Sequence, residues 1–177
     1  RTPFIVVAFG KYGSNEVPFA TALDLVLVHG ADTDADQERL MEAARAFELE
    51  LRSQSGYEVD MRIRPEGSKG LPAVSITAYR EYFANRAVSW EQQALLRARV
   101  VEGTEELGRD YLRFVADELS SVRIDDAFLN SVMDLRTKSE PRSKLKAKQF
   151  ELKRMQGGMM DAEYGVQLLQ LYDMQNR

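Results

Sequence analysis

The chain has 177 residues, of which 44% are hydrophobic, so it can bury a core as one domain or as two small packed domains. Its net charge of −4 argues against a general nucleic-acid or membrane-surface binder, because sequence-independent phosphate binding needs an excess of Lys and Arg. The absence of cysteine excludes disulfides, a thiolate zinc site and a cysteine nucleophile.

The longest apolar runs, FIVVAFG and LDLVLV, are far shorter than the roughly 20 residues of a membrane helix. Nothing resembles a signal peptide, and a strand begins almost at once after the first residue. We therefore expect an excised part of a longer protein that makes no membrane contact. A chain without cysteine is compatible with a reducing interior, and we expect a cytoplasmic location.

The first third of the chain predicts a small sheet. Short β-branched runs beside glycine predict strands at residues 4–10 and 23–30, with a turn-rich connection between them. Helical spacing of apolar residues predicts a helix over residues 37–53. Residues 57–65, YEVDMRIRP, alternate as a strand does. The polar face of this strand would consist of Glu58, Asp60, Arg62 and Arg64.

From about Ser75 onwards the pattern is helical. Helices are predicted over residues 77–87, 89–103, 105–119 and from 125 to before Pro141, followed by an extended segment at 150–155 and a last helix with Met160, Tyr164, Leu168 and Leu171 inward. The chain therefore predicts an α+β fold. We expect a core domain over residues 1–74 and a helical domain over residues 75–177.

The polar face of the third strand is the first candidate site. A carboxylate, Asp60, followed by the guanidiniums of Arg62 and Arg64 suits a metal beside a polyphosphate, with the acid on the cation and the arginines on phosphate oxygens. The alternative is a solvated strand face with ion pairs between residues two apart. Alternation alone favours that alternative.

A second candidate is the turn between the first two strands. Gly13 and Ser14 would let backbone N–H groups approach a phosphate, although most such dipeptides are plain turns. Asp24 follows on the next strand and Asp60 on the one after. This order is that of nucleotidyltransferases related to DNA polymerase β, in which carboxylates on adjacent strands hold two Mg²⁺ ions for attack at the α-phosphate.

Four stretches make the resemblance specific: VVAFGKYGS with LDLVLV, YEVDMRIRPEGSKG, WEQQALLRARVV and FELKRMQGGMMDAEYGVQLLQL. In this order they resemble one half of the bacterial glutamine synthetase adenylyltransferases, bifunctional enzymes that add AMP to a tyrosine of glutamine synthetase and remove it. The resemblance spans nearly the whole chain. It implies a polymerase-β-like nucleotidyltransferase core with a small mixed sheet, followed by a helical bundle.

The resemblance also implies roles for individual residues. Asp24 and Asp60 would bind Mg²⁺ and be the catalytic acids, with ATP as the substrate. Gly13 and Ser14 would lie at the nucleotide phosphates. The triphosphate charge would be neutralised by Arg62, Arg64 and Lys69.

The chain departs from the family at one position. The family has Ser-Asp-x-Asp-Leu where this sequence has Thr-Ala-Leu-Asp-Leu, so the first acid of the pair is Ala22. An alanine methyl cannot ligate a metal, and an engineered change would leave the same sequence. Glu16 in the phosphate turn is a remote replacement. The acidic run of Asp32, Asp34 and Asp36 is more typical of a solvated loop.

Three further features favour structural roles. Asp161 and Glu163, in the family's GGxxDxE pattern, open the last helix, where an acid also complements the helix dipole, so capping is at least as well supported as catalysis. For Trp90, Arg97 and Arg99 we expect packing and interdomain ion pairing rather than catalysis, because Trp90 lies on the apolar face of its predicted helix. His29, the only histidine, lies at a strand end and favours a capping or surface role.

Two hypotheses follow. The first is a nucleotidyltransferase half that uses ATP and Mg²⁺ to move AMP onto or off a tyrosine of glutamine synthetase, with a regulatory signalling protein as a further partner. The sequence leaves open which direction this half serves. The second is a non-catalytic binding or regulatory module of the same fold, motivated by Ala22. A third, nucleotide addition to RNA, is disfavoured by the acidic balance.

Overall fold

The computed structural model describes residues 2–17, 21–31, 33–140 and 151–176, and within them it confirms the predicted α+β fold. Five strands form one sheet: β1 Phe4–Ala8, β2 Ala22–His29, β3 Glu58–Asp60, β4 Ala73–Ser75 and β5 Arg99–Gly103. The helices are α1 Gly10–Gly13, α2 Asp34–Gln54, α3 Ile76–Asn85, α4 Ser89–Leu95, α5 Glu105–Ser121, α6 Asp126–Lys138 and α7 Met159–Gln175. In these ranges we find no helix with the length and apolarity that a membrane crossing requires.

The sheet is mixed, and β2 is its organising strand. The order is β3-β2-β1-β5. β3 pairs with the first residues of β2, and β4 pairs with its last residues. β1 runs antiparallel to β2 and β5, whereas β3 and β4 run parallel to β2. A parallel neighbour needs a crossover connection, and α2 provides it between β2 and β3.

The described chain forms two compact units. The first comprises Arg1–Ala87 with Arg97–Asp117, and the second comprises Val88–Leu96 with Glu118–Arg177. We expected a core domain that ended at residue 74. The unit that holds the sheet also takes in residues 75–87 and 97–117, because β5 returns to pair with β1.

The first unit buries both faces of its central strands. Residues 5–8 of β1 are all buried, which is typical of a strand covered on two sides. One face packs against α2 through a cluster that includes Leu25, Val59 and Ala44. Between α3 and α5 lies an aromatic cluster of Tyr79, Phe83, Tyr111 and Phe114, with ring centroids 5.1–6.0 Å apart. The sheet is therefore held between two helical layers.

One sequence prediction was wrong in kind. We expected a single helix over residues 89–103, but α4 ends at Leu95 and residues 99–103 form β5. Val100 and Val101 are β-branched and pair well in a strand, and β1 offers an edge that would otherwise be unpaired. Trp90, predicted on the apolar face of that helix, is 37% exposed, whereas Glu91 and Gln93 are buried.

Other predictions need smaller corrections. The predicted turn after β1 contains the short helix α1. The predicted strand over residues 57–65 is β3 alone, three residues long, and a turn follows it. Residues 151–155 form turns rather than an extended segment, and Phe150 and Asp32 lie outside the described residues.

His29 ends β2 and is only 2% exposed, so its predicted surface role is wrong. Its capping role is confirmed, because Nδ1 accepts a hydrogen bond from the Ala31 N–H at 3.1 Å. Burial lowers the pKa of His29 below its ordinary value of 6.5, since desolvation penalises the charged imidazolium. The imidazole is therefore held neutral, with Nδ1 as the acceptor.

This burial predicts a pH-dependent stability. The unfolded chain binds a proton at His29 at a higher pH than the folded chain does, so the stabilisation is complete above about pH 6.5 and is lost as the pH falls below it. His29 alone contributes at most about 1.4 kcal/mol per pH unit. His29→Asn keeps an acceptor near the Ala31 N–H but does not titrate. Urea denaturation between pH 5 and 8 should give a flatter profile for His29→Asn, and parallel profiles would contradict this account.

Candidate functional site

Two aspartates lie side by side on adjacent strands of the sheet. In the parallel pairing of β2 with β3, Asp24 is opposite Asp60 and Ala22 is opposite Glu58. The intervening pair, Leu23 with Val59, is buried in the core cluster. Because successive side chains on a strand alternate between faces, Asp24 and Asp60 share the face away from that cluster. The structure thus brings the two predicted acids together.

Asp60 is bound by the arginine two residues later. Its Oδ1 accepts the Arg62 backbone N–H at 2.9 Å, and its two oxygens accept Nε–H and Nη2–H of the same arginine at 2.6–3.1 Å. This local bonding ends β3 in a turn. The side-chain bond from Arg62 is the main reason that the pKa of Asp60 lies below its ordinary value. Asp60 is therefore ionised at neutral pH.

A cavity of about 520 Å³ opens at this edge of the first unit. Its charged lining is balanced, with three acids and three arginines. They are Glu48, Glu58, Asp60, Arg52, Arg62 and Arg64. Ala22, Val59, Met61 and Ser68 complete the lining. Of the predicted site residues, the cavity takes in Asp60, Arg62 and Arg64, although both arginines come from the turn and not from a strand face.

Arg64 has donor capacity that the described residues do not use. Its Nη1–H donates to the Met61 carbonyl at 2.7 Å, which fixes the guanidinium. Its Nε is buried and has no hydrogen-bond partner among the described residues. A buried donor without a partner is costly, so an anionic oxygen at this point would be favourable. The cavity thus suits a phosphate or carboxylate group.

The α1 turn lies against the other aspartate. The Phe9 N–H donates to the backbone carbonyl of Asp24 at 2.9 Å. Gly10 has a φ of +53°, and a Cβ at this position would overlap the Asp24 carboxylate. The turn therefore approaches Asp24 closely only because residue 10 is glycine.

Gly13 and Ser14 use their backbone amides within this turn. The Gly13 N–H donates to the Phe9 carbonyl at 2.7 Å, and the Ser14 N–H donates to Gly10 at 3.2 Å. The Ser14 hydroxyl lies 3.1 Å from the Gly10 carbonyl and 3.1 Å from the Glu16 carboxylate. The phosphate role of these two residues stays a prediction, since the backbone amides and the Ser14 hydroxyl all have acceptors within the turn.

Arg99 holds the α1 turn in place, a role that the sequence did not suggest. Its Nε–H donates to the Gly13 carbonyl at 2.9 Å and its Nη2–H to the Tyr12 carbonyl at 2.7 Å. The guanidinium also lies over the Tyr12 ring, 5.4 Å from its centroid. We had expected interdomain ion pairing for Arg99, and no pattern along the chain indicates its contact with a turn 86 residues earlier.

Lys69 lies near the cavity but is not part of the lining. It ends a 3-10 turn, Gly67–Lys69, whose Ser68 does line the cavity. The Lys69 side chain is exposed. Its predicted phosphate contact stays a prediction.

The donor set fits a magnesium ion held partly by substrate. In the described residues no three acidic or histidine side chains are grouped to hold a metal ion. Mg²⁺ is commonly bound by one or two carboxylates together with substrate phosphates and water. The two carboxylates of Asp24 and Asp60 therefore match the number and type of protein ligands that such an ion needs. Glu16 contacts Ser14 and Lys11 instead, at 3.1 and 3.9 Å.

Comparison with known proteins identifies the family. Residues 1–114 match the family model of glutamate-ammonia ligase adenylyltransferase. The chain belongs to this family. The family match covers β1 to β5 and so includes both aspartates and the cavity.

The similar individual proteins carry names that agree with this family. The chain is 37% identical over 170 residues to the bifunctional glutamine synthetase adenylyltransferase/adenylyl-removing enzyme of Bordetella bronchiseptica, covering 94% of this chain and 18% of that enzyme. It is 34% identical over 190 residues to the enzyme of the same name from Pseudomonas syringae pv. tomato, covering 93% and 19%. The chain thus spans less than a fifth of the length of these adenylyltransferases.

The second unit uses the family's GGxxDxE pattern to fix a turn. Asp161 accepts the Gly157 N–H at 2.5 Å and is paired with the guanidinium of Arg136, which is 4% exposed. Arg136 also donates to the Met155 carbonyl at 2.9 Å. The bond from Arg136 is the main reason that the pKa of Asp161 lies below its ordinary value. These contacts give Asp161 the structural role that we weighed against catalysis.

A pair of glycine substitutions separates packing from phosphate binding at Gly13. A Cβ at Gly13 would overlap the Arg97 carbonyl, so Gly13→Ala should destabilise the chain by about 1–3 kcal/mol. At Gly108 in α5 a Cβ meets only ordinary contacts, the nearest at 3.5 Å, and Gly108→Ala should gain up to about 1 kcal/mol. Urea denaturation measures both. A Gly13→Ala chain that keeps its stability but loses nucleotide binding would show that glycine serves the phosphate instead.

Proposed function

We propose that this chain is a nucleotidyltransferase part of a glutamine synthetase adenylyltransferase, using ATP and Mg²⁺ to transfer AMP. The observation that supports this most strongly is the pairing of Asp24 with Asp60 on adjacent parallel strands. Asp60 also lines a cavity that contains three arginines. Carboxylates beside guanidiniums are the combination that a metal-bound polyphosphate requires.

Asp24 and Asp60 would hold the metal. When bound, Mg²⁺ supplies charge neutralisation of the phosphate oxygens and stabilises negative charge that develops during phosphoryl transfer. For Asp60 to serve, its carboxylate must exchange the guanidinium of Arg62 for the metal. That exchange frees Arg62, which is 73% exposed at its side chain, to bind a phosphate oxygen.

The other site residues would position the nucleotide. Arg64 offers its unpartnered Nε–H to a phosphate oxygen. Lys69 and the Ser14 hydroxyl, which lie on turns near the cavity and near Asp24, would bind further oxygens. Arg99 acts indirectly, because it holds the turn that carries Ser14.

The names of the relatives support glutamine synthetase as the protein substrate. In transfer, a tyrosine hydroxyl of glutamine synthetase would attack the α-phosphorus of ATP, and pyrophosphate would leave. In removal, an oxygen of inorganic phosphate would attack the phosphorus of the adenylyl-tyrosine. The bond from that phosphorus to the tyrosine oxygen would break, forming ADP, and the tyrosine oxygen would take up the proton that the phosphate gives up. We further propose a cytoplasmic location and control by a regulatory signalling protein.

A second candidate function is a non-catalytic binding module. Ala22 supports it, because this position lies opposite Glu58 at the cavity and has no metal-binding group. Loss of an acid that binds the metal is expected to remove on the order of several kcal/mol of transition-state stabilisation. Such a module would bind nucleotide or glutamine synthetase without transferring AMP.

Restoring the acid at residue 22 distinguishes these functions. Labelled AMP transfer from ATP to glutamine synthetase, with Mg²⁺, is compared for the unmodified chain, Ala22→Asp and Ala22→Asn. Ala22→Asp adds a ligand carboxylate beside Asp24, so transfer should rise by at least about tenfold. Ala22→Asn matches its size without the charge and should not raise transfer.

The alternatives give different results in the same assay. If Ala22→Asp stays inert while it still binds ATP and glutamine synthetase, the chain is a binding module. If the unmodified chain is already fully active, the inference that Ala22 weakens the metal site is wrong. Transfer that persists without a divalent metal would contradict the proposed chemistry itself.

A further inference from the structure

Arg52 is a third guanidinium at the cavity, and it comes from an element that the sequence did not connect with the site. It lies in the last turn of α2, eight residues before Asp60. It lines the same cavity as Asp60, Arg62 and Arg64. Its positive charge also helps to lower the pKa of the Asp60 carboxyl. Arg52 therefore lies close enough to Asp60 to act on its charge and shares its cavity.

Arg52 is held by one carboxylate. Its Nε–H and Nη2–H both donate to Oε1 of Glu48, at 3.2 and 2.8 Å. A guanidinium has five N–H donors, so this pair uses two of them and leaves a further edge of Arg52 for a second anion. Glu48 and Arg52 are half-exposed, with 29% and 46% of their side chains accessible, so a ligand in the cavity can reach them.

We propose that Arg52 binds a phosphate group in this cavity, together with Arg64. The two arginines approach from α2 and from the turn after β3, and the Arg64 Nε has no partner among the described residues. A phosphate has enough oxygens to accept from both guanidiniums at once. The phosphate belongs either to the nucleotide or to an inorganic phosphate ion. This inference rests on the proposed function and adds a binding residue to that site.

The alternative role for Arg52 is to stabilise the end of α2. A lysine or arginine in the last turn of a helix complements the helix dipole, and a Glu–Arg pair four residues apart stabilises a helix modestly. That role requires neither the cavity nor a ligand. It predicts that a change at Arg52 affects helix stability alone.

The test measures phosphate binding directly. Isothermal titration with ATP and Mg²⁺, and separately with inorganic phosphate, is applied to the unmodified chain, Arg52→Gln and Arg45→Gln. Arg45 is the matched control, since it is an exposed arginine of α2 that does not line the cavity. Arg52→Gln should weaken binding of at least one ligand by about tenfold or more, as expected for loss of a charged hydrogen-bond donor. Arg45→Gln should leave both affinities unchanged.

A third variant should change the phosphate affinity in the opposite direction. Glu48→Gln weakens the hold on Arg52 and removes a negative charge from the cavity, so phosphate binding should tighten by roughly twofold to fivefold. A purely structural role for the Glu48–Arg52 pair predicts no gain in affinity from this change. Far-UV circular dichroism verifies that all variants fold.

The outcomes separate this inference from the proposed function. Weaker binding of ATP alone assigns Arg52 to the nucleotide, and weaker binding of inorganic phosphate alone assigns it to the attacking ion. Equal affinities for Arg52→Gln and Arg45→Gln, in a chain that binds ATP, overturn the role of Arg52 and leave the proposed function intact. An unmodified chain that binds neither ligand overturns both.

Discussion

The parallel register of β2 with β3 is the constraint on which the site depends. It places Asp24 opposite Asp60, and a shift by one residue would bury one of these carboxylates in the core in place of Leu23 or Val59. The register is thus fixed by the apolar face, which packs against α2. The site is therefore a consequence of core packing, and two like charges are held together by the burial of their neighbours.

Holding two carboxylates side by side requires positive charge nearby. Arg62 neutralises Asp60 through three of its donors, and Arg52 adds a more distant charge. The same arginines are suited to phosphate oxygens. On the proposed function, the guanidiniums that now pair with carboxylates would pair with phosphate oxygens, and the carboxylates would pair with the metal ion. Ala22 remains the position where this arrangement has no acid.

Much of this arrangement was predictable from the sequence, and the exceptions have physical causes. β1, β2, α2 and the pair of aspartates follow from local periodicity and from the order of the motifs. The strand at residues 99–103 could not be predicted in this way, because these residues form a strand by pairing with the edge of β1 and not through their local pattern. Arg52 and Arg99 were missed for a related reason. Arg99 contacts a turn 86 residues earlier, and a single sequence contains no signal for such a contact. Arg52 is only eight residues from Asp60, but it lies on α2, and the periodicity of a helix does not show that its last turn lines the same cavity as β3.

Binding of Mn²⁺ in place of Mg²⁺ tests the central claim that Asp24 and Asp60 hold one metal site together. Electron paramagnetic resonance titrations with ATP present would compare the unmodified chain with Asp24→Asn, Asp60→Asn and a control, Asp134→Asn, on the exposed side of α6. Each site variant should weaken Mn²⁺ binding by more than about tenfold, and the control should not. Unchanged binding in either Asp24→Asn or Asp60→Asn would contradict the shared site.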